Sequence, residues 1–567
     1  MSGAKILNFL PLNSSLQDSL SRELSISRIV AQLLVNRGIR TAGEGEKFLH
    51  PKLADLHDPF LFSDMDTAVR LIKKSAKKKA KAIVFSDYDA DGITSLVVLK
   101  DTLAKLGLEV FHYIPHRVKE GYGLNKKVLD LVKEKKAELL ITADCGINSH
   151  EQVKELNRLG VDVVITDHHE PQSKDSLPKA KAIINPKING SGYPYRDLAG
   201  VGVVYKLCQA LTGDLLKEEL DLVSLGTIAD SVPLTGENRI IAREGLIKIR
   251  GTKRPGLQVL LESSGIKGKK MTTEYVSFIL GPRINASGRI DSADIALKLL
   301  SSRDMEEAKG YAQTIERCNR QRQKIESVIL QEARDLIDKE INFKEHKVVV
   351  VAKEGWHTGV LGIVAAKLSE KFFRPTILIS LTDNLCRGSG RSIKNFHLFQ
   401  ALLDCEDLLD SFGGHRHATG LVISKDKIEI FKNRINHLVK ERLSFQDLIP
   451  SIDIDAQVNL SQIDSATIAQ LQLLEPFGSD NPEPLFYTKG LKLKGQPQIL
   501  GRQTLKLWAT DGALTYPVIG FGMAGFLEDI IQSDSFDLVY KLRIDSWRGE
   551  DSLILEIKDI FFSKSPV

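Results

Sequence analysis

The sequence predicts a multidomain α/β protein. A parallel-sheet lobe comes first, a second α/β lobe follows across one long helix, and a C-terminal β-barrel of the OB type closes the chain. Three observations predict this. Apolar β-type runs alternate with helical patterns from about residue 80 to 185, which is the signature of βαβ units. The stretch Asp304–Ile341 carries a single glycine, Gly310, and no proline. From Ile449 onward, short alternating runs are separated by Gly, Pro and Asp turns.

The elements follow in order. Residues 1–60 read as a helical cap, with helical spacing over Ile26–Gly38 and Glu44–Leu49 and a stop at His57-Asp58-Pro59. A lobe over 61–235 is predicted to hold strands at Ala82–Ser86, Glu109–Ile114, Leu139–Thr142, Asp162–Thr166 and Ala182–Asn185. Helices near Thr94–Lys105, Lys126–Lys135 and Ser149–Leu159 connect them. Residues 236–342 form a helical region ending in the long helix, whose Gln-Arg-Gln-Lys centre is too polar for a core helix and predicts a spacer connecting the lobes. A second α/β lobe spans 343–445, and the barrel occupies 446–567, with strands at Leu491–Lys494, Thr504–Ala509, Tyr516–Gly520, Phe536–Ile544 and Leu553–Ile560.

Composition narrows the class. The 567 residues are 42% hydrophobic and 27% charged, ordinary for a soluble protein. No apolar run approaches the length of about 18 residues that a membrane helix needs, and no secretory leader is apparent, so a cytoplasmic protein is expected. Five scattered cysteines without a CxxC pair argue against a disulfide framework and a zinc knuckle. A net charge of +5 permits a nucleic-acid partner without demanding one. The lysines between Lys73 and Lys81 read as a solvated helix face.

The run Asp87-Tyr88-Asp89-Ala90-Asp91-Gly92 breaks local rules. Three carboxylates at alternate positions repel one another, and Asp is a poor strand former. Hard divalent cations with oxygen ligands resolve such a conflict, whereas a solvated acidic turn is the bland alternative. Asp144 and Asp167-His168-His169 each follow an apolar strand, and Asp230 follows an apolar helical run. Ligands collect at the carboxyl ends of parallel strands, so these groups are expected to converge. Any one of them alone is more often a helix cap.

Taken together, the segments resemble the four acidic motifs of the DHH phosphoesterases. Those segments are Asp87–Gly92, Ala143-Asp144-Cys145-Gly146, Asp167-His168-His169 and Ala229-Asp230-Ser231-Val232-Pro233-Leu234. The likeness is nearest to the RecJ-type single-strand-specific 5′→3′ exonucleases. Further matching segments are Pro115-His116-Arg117, Gly281–Arg289, Gly355–Gly362, Gly388–Ser392, Phe412–Ala418 and Pro476-Phe477-Gly478.

The resemblance implies a DHH catalytic lobe, a DHH-associated lobe and two ions, Mn²⁺ or Mg²⁺, held by Asp87, Asp89, Asp91, Asp144, His168 and Asp230, with Asp144 as the bridge. It makes Asp89, Asp144, His168 and His169 the catalytic set, with His169 serving as ligand, orienting group or phosphate contact. Arg283, Asn285, Arg289, His357, Ser389, Arg391, Gly414 and His415 are the implied substrate-binding groups. The glycines at 388–390 and 413–414 read either as anion-approaching backbone or as plain turns. Trp508, Phe486 and Tyr487 are candidates for stacking bases. One departure stands out: some relatives carry histidine where this chain has Phe85.

The function so implied is two-metal hydrolysis of single-stranded DNA to 5′-mononucleotides, in recombination and repair, by a monomer acting beside a helicase and a single-strand-binding protein. A phosphodiesterase of short oligonucleotides or cyclic dinucleotides is the alternative. A scaffold that has lost its metals is a third reading, disfavoured because the acidic set is whole.

Overall fold

The structure is a computed structural model that describes residues 5–117, 119–172, 176–382, 385–545 and 552–562. Its chain forms two compact units. One comprises Leu56–Val232 and Ile241–Pro450, and the other Met1–Asp55, Pro233–Ile240 and Ser451–Val567.

The first of these contains both α/β lobes. The catalytic-lobe strands are β1 (Lys81–Ser86), β2 (Glu109–Tyr113), β3 (Leu139–Ala143), β4 (Asp162–Thr166) and β5 (Ala182–Ile184). They lie in the order β2-β1-β3-β4-β5 and are parallel throughout. Their near-continuous Val, Ile and Leu content follows from burial of both faces. Register places function at one edge. Ser86 pairs with Ala143, Ala143 with Thr166, and Thr166 with Ile184. The next residues, Asp87, Asp144, Asp167 and Asn185, therefore stand level at the carboxyl ends. The chain leaves β1 for β2 on one side and β3 lies on the other, so this is the switch point of the sheet.

Three helices seat the site: α1 (Ala90–Lys105), α2 (Gly200–Thr212) and α3 (Leu220–Ala229). Next come α4 (Gly281–Ile290) and the long helix α5 (Met305–Glu340). Its 36 residues span about 54 Å at 1.5 Å per residue. It packs along Pro255–Ser263, α4, Asp294–Ser301 and the later helix α6 (Thr358–Phe372). Of its polar centre only Arg322 is buried, and it donates to Glu326 at 2.5 Å and to Asn319 at 2.7 Å, both buried with it.

The second lobe holds β6 (Val349–Glu354), β7 (Thr376–Leu381), β8 (Leu385–Arg391), β9 (Ser411–Gly414) and β10 (Ala418–Ser424), in the order β9-β10-β8-β7-β6. Gly388–Gly390 and Gly413–Gly414 thus lie on strands rather than in turns. β8 is flanked on both sides, so the backbone N–H groups of its glycines serve the sheet, and they are not an anion cradle.

The second unit is built on a barrel of β11 (Phe486–Leu500), β12 (Thr504–Thr510), β13 (Thr515–Gly520), β14 (Phe536–Asp545) and β15 (Ser552–Phe562). The order β11-β12-β13-β15-β14 closes where β14 pairs with β11, which removes free sheet edges. Helices Ser14–Glu23, Arg28–Asn36 and Ala42–Leu49 share its apolar core. Phe486 is 2% exposed in that interior, and Tyr487 is 5% exposed in a separate cluster with Ile454, Val539 and Leu7, so neither offers a ring to a base. Trp508, at 45% exposure, does.

Candidate metal centre

Asp87, Asp91, Asp144 and His168 are buried at the carboxyl edge of the catalytic sheet, with Asp89 and Asp230 half-buried beside them. Oxygens of Asp87, Asp89 and Asp144 lie within 4.8 Å of one another, as do ligand atoms of Asp91, His168 and Asp230. His168 Nε2 stands 3.3 Å from Asp144 Oδ1 and 3.6 Å from Asp230 Oδ2. Asp144 falls between the two groups, as expected of a bridging ligand.

Local structure explains the placement. Asp89 caps α1, accepting from the N–H groups of Asp91 and Gly92 at 3.0 and 3.1 Å. Asp91 accepts from the first N–H groups of α2, Gly200 and Val201, each at 2.7 Å. A helix N-terminus favours a carboxylate there. Gly200 also makes room: a Cβ on it would lie 2.4 Å from Asp144 Oδ1.

The electrostatics are unfavourable without a cation. Burial and then the neighbouring Asp89 push Asp87 up to about 8. Burial and Asp91 hold Asp144 well above the carboxylate range, and burial and Asp230 do the same to Asp91. Asp230 rises to about 6 through burial and Asp89. Asp87 Oδ1, Asp144 Oδ1 and His168 Nε2 are buried with no hydrogen-bond partner among the described residues. Burial and His169 keep His168 neutral, leaving a ring nitrogen free to ligate. The residues present therefore fit two hard divalent cations. Phe85 does not weaken this fit by intrusion. Its ring lies in the apolar core, stacked on Tyr113 at 5.6 Å.

His169 behaves differently from its neighbour. Its Nδ1 lies 2.8 Å from Asp167 Oδ1, and Asp167 accepts from the backbone N–H groups of both histidines. Burial opposes a charge on His169, but Asp167 outweighs it and raises the imidazole to about 9. Tyr122, unassigned from sequence, places its hydroxyl 3.0 Å from the same Nδ1. Asp167 was legible as the first member of the Asp167-His168-His169 motif, whereas Tyr122 meets His169 from 47 residues upstream.

The second lobe meets this edge. The His415 ring stacks on His169 with centroids 6.2 Å apart. Arg391 lies over the first turn of α6, where a Cβ on Gly362 would come 2.8 Å from its Nη2. Its Nη1 donates to Ser389 Oγ at 3.4 Å. Arg289 donates to Gly359 O at 2.8 Å. Burial, then the charges of Arg117, Arg391 and Arg322, pull Arg289 down to about 9. Arg322 has Glu326, but Arg117, Arg289 and Arg391 have no carboxylate in ion-pair range among the described residues. Three crowded guanidinium groups without an anion make a receptor for one. Arg117 also packs on the Tyr88 ring at 4.7 Å and borders a polar cavity of about 250 Å³ with His112 and Asp294.

Other expected contacts are engaged locally. Arg283 donates to Glu316 on α5 at 2.7 Å, away from the guanidinium cluster. Asn285 accepts from Ala90 N at 2.7 Å and so braces the acidic loop. His357 caps α6, accepting from Gly359 N at 3.2 Å. Gly414 takes φ 129° just before His415.

A parallel sheet ending in clustered carboxylates and an imidazole pair, faced by an anion receptor, defines a metal-dependent phosphoesterase of the DHH type. The DHH family N-terminal domain matches residues 81–227, the DHHA1 domain 345–441 and the RecJ OB domain 454–559. The chain is 40% identical over 549 residues to the single-stranded-DNA-specific exonuclease RecJ of Bacillus subtilis, covering 96% of this chain and 69% of that one. Its identity to the Escherichia coli protein of that name is 34%, over 94% of this chain and 96% of the other. The crystal structure of Thermus thermophilus RecJ in complex with Mn²⁺ superposes with a TM-score of 0.86 at 28% identity, covering all of this chain and 81% of that one. The Mg²⁺ complex gives 0.77 at 26% identity, covering 99% and 79%. The chain belongs to the RecJ family.

Proposed function

We propose that this chain hydrolyses single-stranded DNA from its 5′ end, releasing 5′-mononucleotides, with Mn²⁺ or Mg²⁺ held by Asp87, Asp89, Asp91, Asp144, His168 and Asp230. The observation that carries the reading is the convergence of two carboxylate-rich groups that share the neighbourhood of Asp144, opposite a cluster of unpaired arginines. Bound at these residues, two cations supply an activated water and a clamp on the phosphate oxygens. The reaction adds a water oxygen to phosphorus and breaks the P–O3′ bond, and the departing oxygen takes a proton.

The chain's own residues do the rest. His169, kept protonated by Asp167, donates from Nε2 to the phosphate, and Tyr122 holds the ring in place. His415 adds a second imidazole from the facing lobe. Arg117, Arg289 and Arg391, with Ser389, take up a further phosphate of the strand.

The barrel offers a track for the strand. Across β11, β12 and β13, three rows pair on its outer face: Lys492, Thr510 and Thr515; Lys494, Trp508 and Pro517; Gln498, Lys506 and Ile519. Trp508 sits at the centre, three lysines surround it, and none of the nine is acidic. An aromatic face with cations suits a single strand of any sequence. The wider role is in recombination and repair in the cytoplasm, as a monomer beside a helicase and a single-strand-binding protein.

The test compares a single-stranded oligonucleotide with a blunt duplex. Mn²⁺-dependent release of mononucleotides from the single strand alone is expected, stopping on chelation. Equal cleavage of the duplex, or cleavage after chelation, would contradict the proposal.

A further inference from the structure

The helix that braces the acidic loop carries an aromatic ring out into solvent. Phe278 is 77% exposed, more than any other large hydrophobic side chain among the described residues. One exposed apolar side chain is ordinary by itself, so its setting decides. It sits in the π-helical turn Val276–Leu280, which runs directly into α4. Such turns are rare and often accompany function.

The setting follows from what each face of this helix touches. Val276, Leu280, Ile284 and Ser287 are buried and form its inner face. Ser277 and Gly281 meet the end of α3. Ser277 Oγ donates to Ile228 O at 3.5 Å, and a Cβ on Gly281 would lie 3.2 Å from that of Ala229, the neighbour of Asp230. Arg283 turns to α5 through Glu316. The remaining stripe is Phe278, Pro282, Asn285 and Arg289, spaced i, i+4, i+7 and i+11. On it, Asn285 accepts from Ala90 N of the acidic loop, and Arg289 donates to Gly359 O of the second lobe. The stripe therefore faces the opening between the lobes. Its order is arginine cluster, acidic loop, Phe278. Phe278 precedes Asn285 by seven residues, about 10 Å at 1.5 Å per residue. Tyr275, one turn earlier, has Lys269 Nζ 5.9 Å from its ring centroid. Aromatic faces with a cation beside them suit nucleobases and the phosphates between them.

We propose that Phe278 is a base-stacking residue, whose ring takes the face of an unpaired base just 3′ of the bond being cleaved. The proposal deepens the exonuclease reading above and rests on it. With the 5′ end among the arginines and the scissile phosphate at the acids, the uncleaved strand leaves along the same stripe, over Pro282 and Phe278. A base inside a duplex must be unstacked before it can give its face to a ring, so this contact favours a single strand.

The test measures binding of a single-stranded oligonucleotide to the full chain by fluorescence anisotropy in metal-free buffer. Phe278→Ala should weaken binding by roughly 5- to 150-fold, the effect of losing one stacked base, and Phe278→Trp should retain it. A scan with one abasic nucleotide separates stacking from support of the fold. In the wild-type chain, an abasic nucleotide at one position near the 5′ end should weaken binding by a similar factor. In Phe278→Ala the same lesion should cost nothing further, because the two losses are one contact. Unchanged binding by Phe278→Ala would overturn the proposal. So would equal abasic penalties in both proteins at every position, because the ring would then support the fold and hold no base. If the wild-type chain cleaves the strand in Mn²⁺, either of those results removes Phe278 alone. Absence of Mn²⁺-dependent cleavage by the wild-type chain would instead overturn the exonuclease reading, and this proposal with it.

Discussion

At the scale of single residues, the site is a set of acids held against their own repulsion. Asp144 is its centre: it is buried, it touches both ligand groups, and its backbone sits at φ 63°, which Asp and Asn tolerate better than most residues. Asp144→Asn therefore keeps the turn and removes a charge. It should lower the cleavage rate by more than about a hundredfold, beyond the 10–100-fold typical of groups that only support a ligand. The metal-free variant should melt at a higher temperature than wild type, because the buried Asp144 carboxyl, disfavoured there by burial and its acidic neighbours, is gone. A metal-free melting temperature below wild type would contradict this account. The acids at 87–91 were legible in the sequence because their spacing violates strand chemistry, and Asp144 and Asp230 because each ends an apolar run inside a motif with a family resemblance. Tyr122 was not, because it matters through His169, 47 residues further along the chain. Arg283 carried a motif's expectation, yet its partner Glu316 is 33 residues downstream on a helix read as a spacer between lobes.

At the scale of elements, strand register and helix ends do the positioning. The strands of the catalytic lobe were legible to within a residue or two, since a buried parallel sheet writes itself as apolar runs, whereas the first barrel strand, read as Leu491–Lys494, runs over Phe486–Leu500. The setting of α5 was not, because Asn319, Arg322 and Glu326 look solvent-facing until they are seen satisfying one another. The N-terminus of α2 passes so close to Asp144 that no side chain fits at Gly200. Gly200→Ala should weaken Mn²⁺ binding by at least about tenfold in calorimetry while circular dichroism stays unchanged. Binding at wild-type strength would show that the approach is looser than described. On the barrel, Trp508→Ala should weaken binding of a single strand by roughly 5- to 150-fold, corresponding to about 1–3 kcal/mol for one stacked base. Fluorescence anisotropy in metal-free buffer reads this directly, and an unchanged affinity would remove Trp508 from the track.

At the scale of the whole molecule, the acidic centre links folding to pH and metal. Asp87 at about 8 and Asp230 at about 6 lie above the ordinary carboxylate value of about 4 in an unfolded chain. A raised acid binds more protons folded than unfolded, so its contribution is fully present below pH about 4 and is lost as pH rises through 6 and 8. Between those limits these two groups should make the metal-free protein progressively less stable, and Mn²⁺ should oppose the trend by binding the ionised form. Calorimetric melting across that window, with and without Mn²⁺, should show the two curves diverging as pH rises. Parallel curves would mean that the acids are not held protonated. Metal binding should also release protons, read as a dependence of the binding heat on the buffer's ionisation enthalpy.

The central claim is that this centre removes nucleotides from the 5′ end of a single strand. The most direct measurement follows a single-stranded oligonucleotide, labelled at one end or the other, during its first turnovers in Mn²⁺. The 5′ label should appear at once as a mononucleotide, while the 3′ label stays on a strand that shortens step by step. Early release of the 3′ label, or internal fragments before any mononucleotide, would contradict the account.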